Sequence, residues 1–224
     1  MSPPSSASKH LAYNNTTLIQ SPYGDHWRNL RRISTLEIFS NYRLNKFLGI
    51  RKDEIKHLLR SLSCNSCHGF AKVELQSMLS EMTFNSIMRM VAGKWYYRYG
   101  EDVKDEREAR QFMRIIKEST GFGGASNPAE FVPLLRWMDY GGLEKKLKSL
   151  SKRINEFLQA LIDEQRRKEE GNTMIDHMLS LQKSQPDYYT DQIIKGLILV
   201  SAINSASSLI EKTRKSRFCL ILAS

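Results

Sequence analysis

Apolar residues recur at helical spacing along most of the chain. Leu143, Leu147, Leu150, Ile154, Phe157 and Leu161 alternate steps of four and three, which places them on one face of a helix running to about residue 168. Leu75, Met78, Leu79 and Met82 follow i, i+3, i+4, i+7 and predict a one-sided helix over residues 74–91. Residues 44–62 carry Leu44, Phe47, Leu48, Ile55, Leu58, Leu59 and Leu62 in a similar pattern. Residues 105–118 are densely charged, with Phe112, Ile115 and Ile116 turned inward. Ser21-Pro22 reads as a cap and first helical position, opening a helix to about residue 37. Thr173 with Asp176 three residues on resembles a capping box before residues 174–181, and Thr190 can cap a last helix from near Gln192. Residues 63–69 read as a turn, 120–128 (with Gly121, Gly123 and Gly124) as a flexible loop, and 130–138 as a short apolar segment ended by Gly141-Gly142. No run alternates as a strand does and nothing repeats, so the expected class is mainly α.

Composition narrows this picture. With 224 residues and 41% hydrophobic residues the chain can bury a core, which argues against wholesale disorder. Three cysteines are too few for a disulfide scaffold. No apolar run approaches the ~18 residues a membrane span needs; the longest, residues 193–203, is interrupted by Lys195. The opening residues lack the apolar stretch of a signal peptide.

The net charge of +10 is unevenly spread. Residues 27–60 carry a net +6 and residues 205–224 a net +3. Such an excess suits phosphate backbones, acidic membrane surfaces or acidic proteins, and equally a solvated helix face.

Few residues form chemical constellations. Cys64-x-x-Cys67-His68 offers thiols and an imidazole, but no second pair completes a zinc site, and two loop thiols with a solvated His is the simpler reading. Gly121-Phe122-Gly123-Gly124 lacks the Lys-Ser/Thr of a phosphate loop. The informative stretch is Ser21-Pro22-Tyr23-Gly24-Asp25-His26-Trp27-Arg28-Asn29-Leu30-Arg31-Arg32. On a helix, Trp27 and Arg31 share a face, and an indole N–H beside a guanidinium suits a carboxylate. The plainer alternative is a core Trp with surface arginines.

Ser-Pro-Tyr-Gly-x-x-Trp-Arg-x-x-Arg-Arg resembles the C-helix motif of plant microsomal cytochromes P-450. Met82-Thr83-Phe84-Asn85 is similar to the E helix of that family. Phe131-Val132-Pro133-Leu134-Leu135-Arg136-Trp137 is similar to its F–G connection. Leu161-Ile162-Asp163-Glu164-Gln165-Arg166 is similar to the end of its G helix, and Tyr189-Thr190-Asp191-Gln192-Ile193-Ile194-Lys195-Gly196 to the start of its I helix. These pieces occur in the family's order over residues 9–200, and their detail is nearest the isoflavone and flavonoid hydroxylases. The resemblance implies a mainly α, partial P-450-type fold from the B–C loop to the start of the I helix, without the sheet and the haem-thiolate half. Residues 1–8 are expected to be a flexible start foreign to the family, and residues 201–224 a divergent basic tail.

The resemblance also implies roles. Trp27 and Arg31 would bind a propionate of haem b. Arg28, Arg32, Arg43 and Lys46 would face an NADPH-cytochrome reductase. Residues 12–20, with Leu18 and Ile19, would form the first substrate-recognition region, and Phe122 and Phe131 would border the pocket that takes a small aromatic, flavonoid-like substrate. Full-length members are anchored in the endoplasmic reticulum membrane, and no anchor is recognisable in this sequence. After Val200 the chain reads Ser201-Ala202-Ile203-Asn204-Ser205-Ala206-Ser207-Ser208, without the family's acid-alcohol pair. The Phe-x-x-Gly-x-Arg-x-Cys loop is absent, and Cys219 in Arg217-Phe218-Cys219-Leu220 does not match it. No catalytic residue and no metal ligand is therefore assigned, haem is not expected to be held stably, and this chain on its own is expected to be an inactive monooxygenase fragment. A different reading is a non-catalytic basic helical module that binds a partner protein. Nucleic acid fits less well, because no recognition motif or aromatic–basic interleaving accompanies the charge.

Overall fold

The structure, a computed structural model, describes residues 10–11, 13, 16–66, 71–97, 106–124, 142–168, 171–214 and 219–222. Its elements in order are α1 (Asp25–Ile33), a π-helical turn (Ser34–Ile38), α2 (Asn41–Lys46), α3 (Leu48–Ser66), β1 (Ala71–Glu74), α4 (Leu75–Ala92), α5 (Glu106–Gly124), α6 (Leu143–Arg167), α7 (Met174–Ser184), α8 (Asp191–Arg214) and β2 (Cys219–Leu222). The class is mainly α, as the periodicity predicts.

Several boundaries differ from expectation. The first helix begins at Asp25 rather than Pro22, because Gln20 and Ser21 donate their N–H groups to the Thr17 carbonyl in a preceding turn. The predicted helix over residues 44–62 is two helices. Ser40 caps α2 by accepting from the Arg43 N–H, and the chain turns at Phe47, whose ring is buried. The helix over α3 continues to Ser66, into the predicted turn. The helix α5 runs through Gly121, Gly123 and Gly124, where a loop is predicted. The expectation of no strand is also corrected: β1 and β2 pair antiparallel, Ala71 opposite Leu222 and Glu74 opposite Cys219. Strands of four residues show too little alternation to be read from sequence, and their pairing is long-range.

The core lies where α4, α5, α6, α7 and α8 meet. The predicted stripe of α6 is buried from Leu147 through Leu161, as are Phe112, Ile115 and Ile116 of α5. Phe112 and Phe157 stack across α5 and α6 with centroids 4.2 Å apart and planes 11° from parallel. The helix α4 differs. Its first turns, with Leu75, Met78, Leu79 and Met82, are half-buried, and the core face is Phe84, Ile87, Met88, Val91 and Ala92. It ends at Gly93, whose φ of 66° closes the helix with N–H bonds back to Arg89 and Met88.

The capping box of α7 is present: Thr173 Oγ1 accepts from the Asp176 N–H, and the Asp176 carboxylate accepts from the Thr173 N–H. Lys195, the charge inside the apolar run of α8, is buried and donates to Asn155 Oδ1 at 2.7 Å. Burial pushes its ammonium below the usual lysine range. By contrast, Leu36, Phe39, Leu44, Leu48, Ile55 and Leu59 are exposed, so the predicted apolar face of residues 44–62 is largely uncovered in the described chain.

Candidate functional site

The helix α1 is anchored by two apolar side chains. Leu30 and Ile33 are buried, which fixes the rotation of the helix and leaves Trp27 half-buried and Arg28, Arg31 and Arg32 exposed. Asp25 in the first turn and the arginines in the last turn both complement the helix dipole. The one-face relationship predicted for Trp27 and Arg31 is present. The Arg31 guanidinium carbon stands 5.3 Å from the Trp27 ring centroid, and the Tyr23 ring centroid lies 5.2 Å from it, tilted by 47°. Arg28 turns away, bonding Asp25 at 3.1 Å and lying over Tyr23.

Among the described residues, neither Trp27 Nε1 nor the Arg31 guanidinium meets a carboxylate or another acceptor. The pair therefore offers a directional neutral donor and a planar cationic fork held together by cation–π contact. That donor set fits a carboxylate of a bound group, such as a haem propionate.

The other predicted residues scatter more widely. Arg32 and Lys46 are exposed. Arg43 is half-buried and lines a cavity of about 100 Å³ with Phe39, Phe47, Ile87, Met90 and Met174, so its guanidinium does not simply face solvent. Leu18 is half-buried and Ile19 exposed, at the edge of a segment that lies on α8. Phe122 belongs to α5, but its side chain is outside the described residues, as is Phe131 altogether. Cys64 is exposed, while Cys67 and His68 lie outside the described residues.

Sequence reasoning missed the polar residues that hold this frame. Arg166 and Gln182 converge on Asp191 at the start of α8, joined by Gln159. Arg89 of α4 bonds Asp53 at 2.7 Å and the buried Glu54 at 2.6 Å on α3, and stacks on Trp95. Asn85, also buried, accepts from the Tyr96 and Tyr97 N–H groups. Asn85, Arg166 and Asp191 fall inside the quoted pieces, but the pairings themselves, between residues 9 to 36 apart, leave no local signal.

The family model described as cytochrome P450 matches residues 2–203. Cytochrome P450 81E8 of Medicago truncatula is 61% identical over 193 residues, which is 86% of this chain and 39% of that protein. The isoflavone 2'-hydroxylase of Glycyrrhiza echinata is 51% identical over 201 residues, covering 89% of this chain and 40% of the relative. The crystal structure of a cytochrome P450, CYP102L1, superposes with a TM-score of 0.63 at 13% identity, over 92% of this chain and 45% of that one, which speaks for the fold. The chain thus spans about two fifths of the length of the curated relatives it matches.

Proposed function

Because the chain belongs to the cytochrome P450 family, whose cofactor is haem, we propose that residues 1–224 contribute the propionate-binding and reductase-facing part of a monooxygenase. Its substrate in this reading is a small aromatic compound of the flavonoid or isoflavonoid class, as the names of the isoflavone hydroxylase relatives suggest. Haem, when bound, supplies the iron at which dioxygen is activated.

The observation that carries this reading is the Trp27–Arg31 pair, an assembled donor set whose acceptor is not among the described residues. Trp27 Nε1 and the Arg31 fork would hold one propionate of the haem. Arg28, Arg32 and Lys46 present exposed cations, and Arg43 a half-buried one, to an acidic flavoprotein reductase fed by NADPH. Attraction of that kind is long-range and falls off over a Debye length of about 8 Å at physiological salt. Leu18 and Ile19, with Phe122 and Phe131, supply apolar surface for an aromatic ring.

The sequence holds no Phe-x-x-Gly-x-Arg-x-Cys segment, whose cysteine would push electron density onto iron. Cys64 is an exposed helical residue, and Cys219 sits in β2. The reading therefore has residues 1–224 inactive alone and the full-length protein associated with the endoplasmic reticulum membrane. Among the described residues no helix is long and apolar enough to cross a membrane.

Titration with haemin in an excess that populates even a weak complex of the parent chain tests the reading. Arg31→Met and Trp27→Phe each remove a donor from the pair, and a charge-assisted hydrogen bond contributes about 1.5–3 kcal/mol, so Arg31→Met weakens haemin binding by about tenfold or more. Binding unchanged in both variants overturns the assignment. The reduced carbon monoxide difference spectrum of the same chain shows no band of thiolate-ligated haem; its appearance defeats the claim of inactivity.

A further inference from the structure

The segment before α1 packs on α8 where Thr17 meets Gly196. Thr17 is 4% exposed although it sits in the polar run Asn14-Asn15-Thr16-Thr17. Its partner is Gly196 of α8: a Cβ added there would lie 3.4 Å from Thr17 Cγ2. The threonine methyl thus occupies the ground that a longer side chain at position 196 would need.

Hydrogen bonds hold both sides of this contact. One helical turn earlier on α8, Gln192 donates its side-chain N–H to Thr16 Oγ1 at 3.2 Å and towards the Tyr13 carbonyl at 3.5 Å. Thr16 Oγ1 donates to the Tyr13 carbonyl at 2.7 Å. On the other side, His26 of α1 donates from Nε2 to the Thr16 carbonyl at 3.0 Å, which requires the proton on Nε2. The Gln20 and Ser21 N–H groups then close on the Thr17 carbonyl at 3.2 and 2.8 Å. Leu18 and Ile19 stand at the crest of that turn, between Thr17 and its two donors.

We propose that Gly196 and Thr17 are positioning residues, and that the volume of the two side chains sets how far Leu18 and Ile19 stand from α8. This rests on the reading of residues 12–20 as the substrate-recognition segment, and it names what places that segment. A bulkier side chain at 196 lifts the turn and widens the space beside α8. The Gln192 and His26 bonds keep Thr16 tethered at the start of the turn, and the α1 helix holds its far end, so the movement is concentrated on residues 17–19.

Amide hydrogen exchange of the 224-residue chain tests this without haem or substrate, so the outcome is separable from that of the substrate reading. Gly196→Ala brings a Cβ only to ordinary contact distance and leaves the Gln20 and Ser21 amides within about twofold of the parent rate. Gly196→Val reaches into Thr17 and raises both rates by about tenfold or more, equivalent to about 1.4 kcal/mol of lost protection. Adding Thr17→Ser, which removes only the opposing methyl, returns them towards the parent. Thr17→Ile adds bulk from the loop side and leaves α8 unchanged, guarding against a Gly196→Val chain that fails to fold; it too raises both rates. Unchanged rates in Gly196→Val and Thr17→Ile overturn the proposal, as does a rise in Gly196→Val that Thr17→Ser fails to reverse.

Discussion

Arg166, in the last turn of α6, grips Asp191, the first residue of α8, with both terminal guanidinium nitrogens; Nη1 donates to Oδ2 at 2.9 Å and Nη2 to Oδ1. Gln182 of α7 donates to the same carboxylate at 2.9 Å, so three helix ends share one anion. The Arg166 hydrogen bonds hold the Asp191 carboxyl well below its ordinary 3.8, at about 2. A depressed carboxyl stabilises the fold above its unfolded pKa and loses that contribution as the pH falls through the folded one. The expected loss between about pH 4 and pH 2 is about 1–2 kcal/mol, reduced for the partly exposed Arg166. Chemical denaturation across that window measures it. Asp191→Asn is less stable at neutral pH, and this share of the acid dependence disappears; an unchanged acid limb refutes the assignment.

Arg89 is the second polar hinge. Its side chain is 11% exposed and that of Glu54 7%, so removing the cation strands a buried carboxylate. Arg89→Met is expected to cost about 3–5 kcal/mol, whereas Arg89→Met with Glu54→Leu recovers much of that loss. Urea unfolding of both variants decides between these outcomes. A double variant as weak as the single one would mean the loss lies in packing against Trp95 rather than in the stranded charge.

Asn85 fixes the chain after α4. Its Oδ1 accepts from Tyr96 N at 3.1 Å and Tyr97 N at 3.0 Å, and its Nδ2 donates to the Tyr97 carbonyl. Asn85→Ala removes these three bonds, at about 1–3 kcal/mol for each backbone group whose lost bond is not replaced. Thermal unfolding should show a clear drop in Tm, together with faster exchange of the Tyr96 and Tyr97 amides. Protection at those amides equal to the parent's would contradict the clamp.

The Phe112–Phe157 stack joins α5 to α6 in the core. Phe112 is 1% exposed, so Phe112→Ala should cost about 3–5 kcal/mol, while Phe112→Leu keeps most of the volume and costs less. Equal losses in the two variants would show that ring geometry, not filled volume, dominates there.

The sequence by itself determined the helical class, the inward face of α6, the apolar residues of α5, the capping box at Thr173 and Asp176, and the shared face of Trp27 and Arg31. These features depend on residues three or four apart, where helical geometry alone decides which side chains meet. It also carried the family, because motif order survives in the chain as written. Tertiary structure decided the rest. It split residues 44–62 at Phe47, moved the core of α4 from Leu75–Met82 to Phe84–Val91, and paired β1 with β2. It joined Arg166 to Asp191 and Arg89 to Glu54, and set Thr17 against Gly196. Each of these depends on which surfaces remain after the helices pack, and on contacts between residues far apart in the chain. Local spacing holds no record of either.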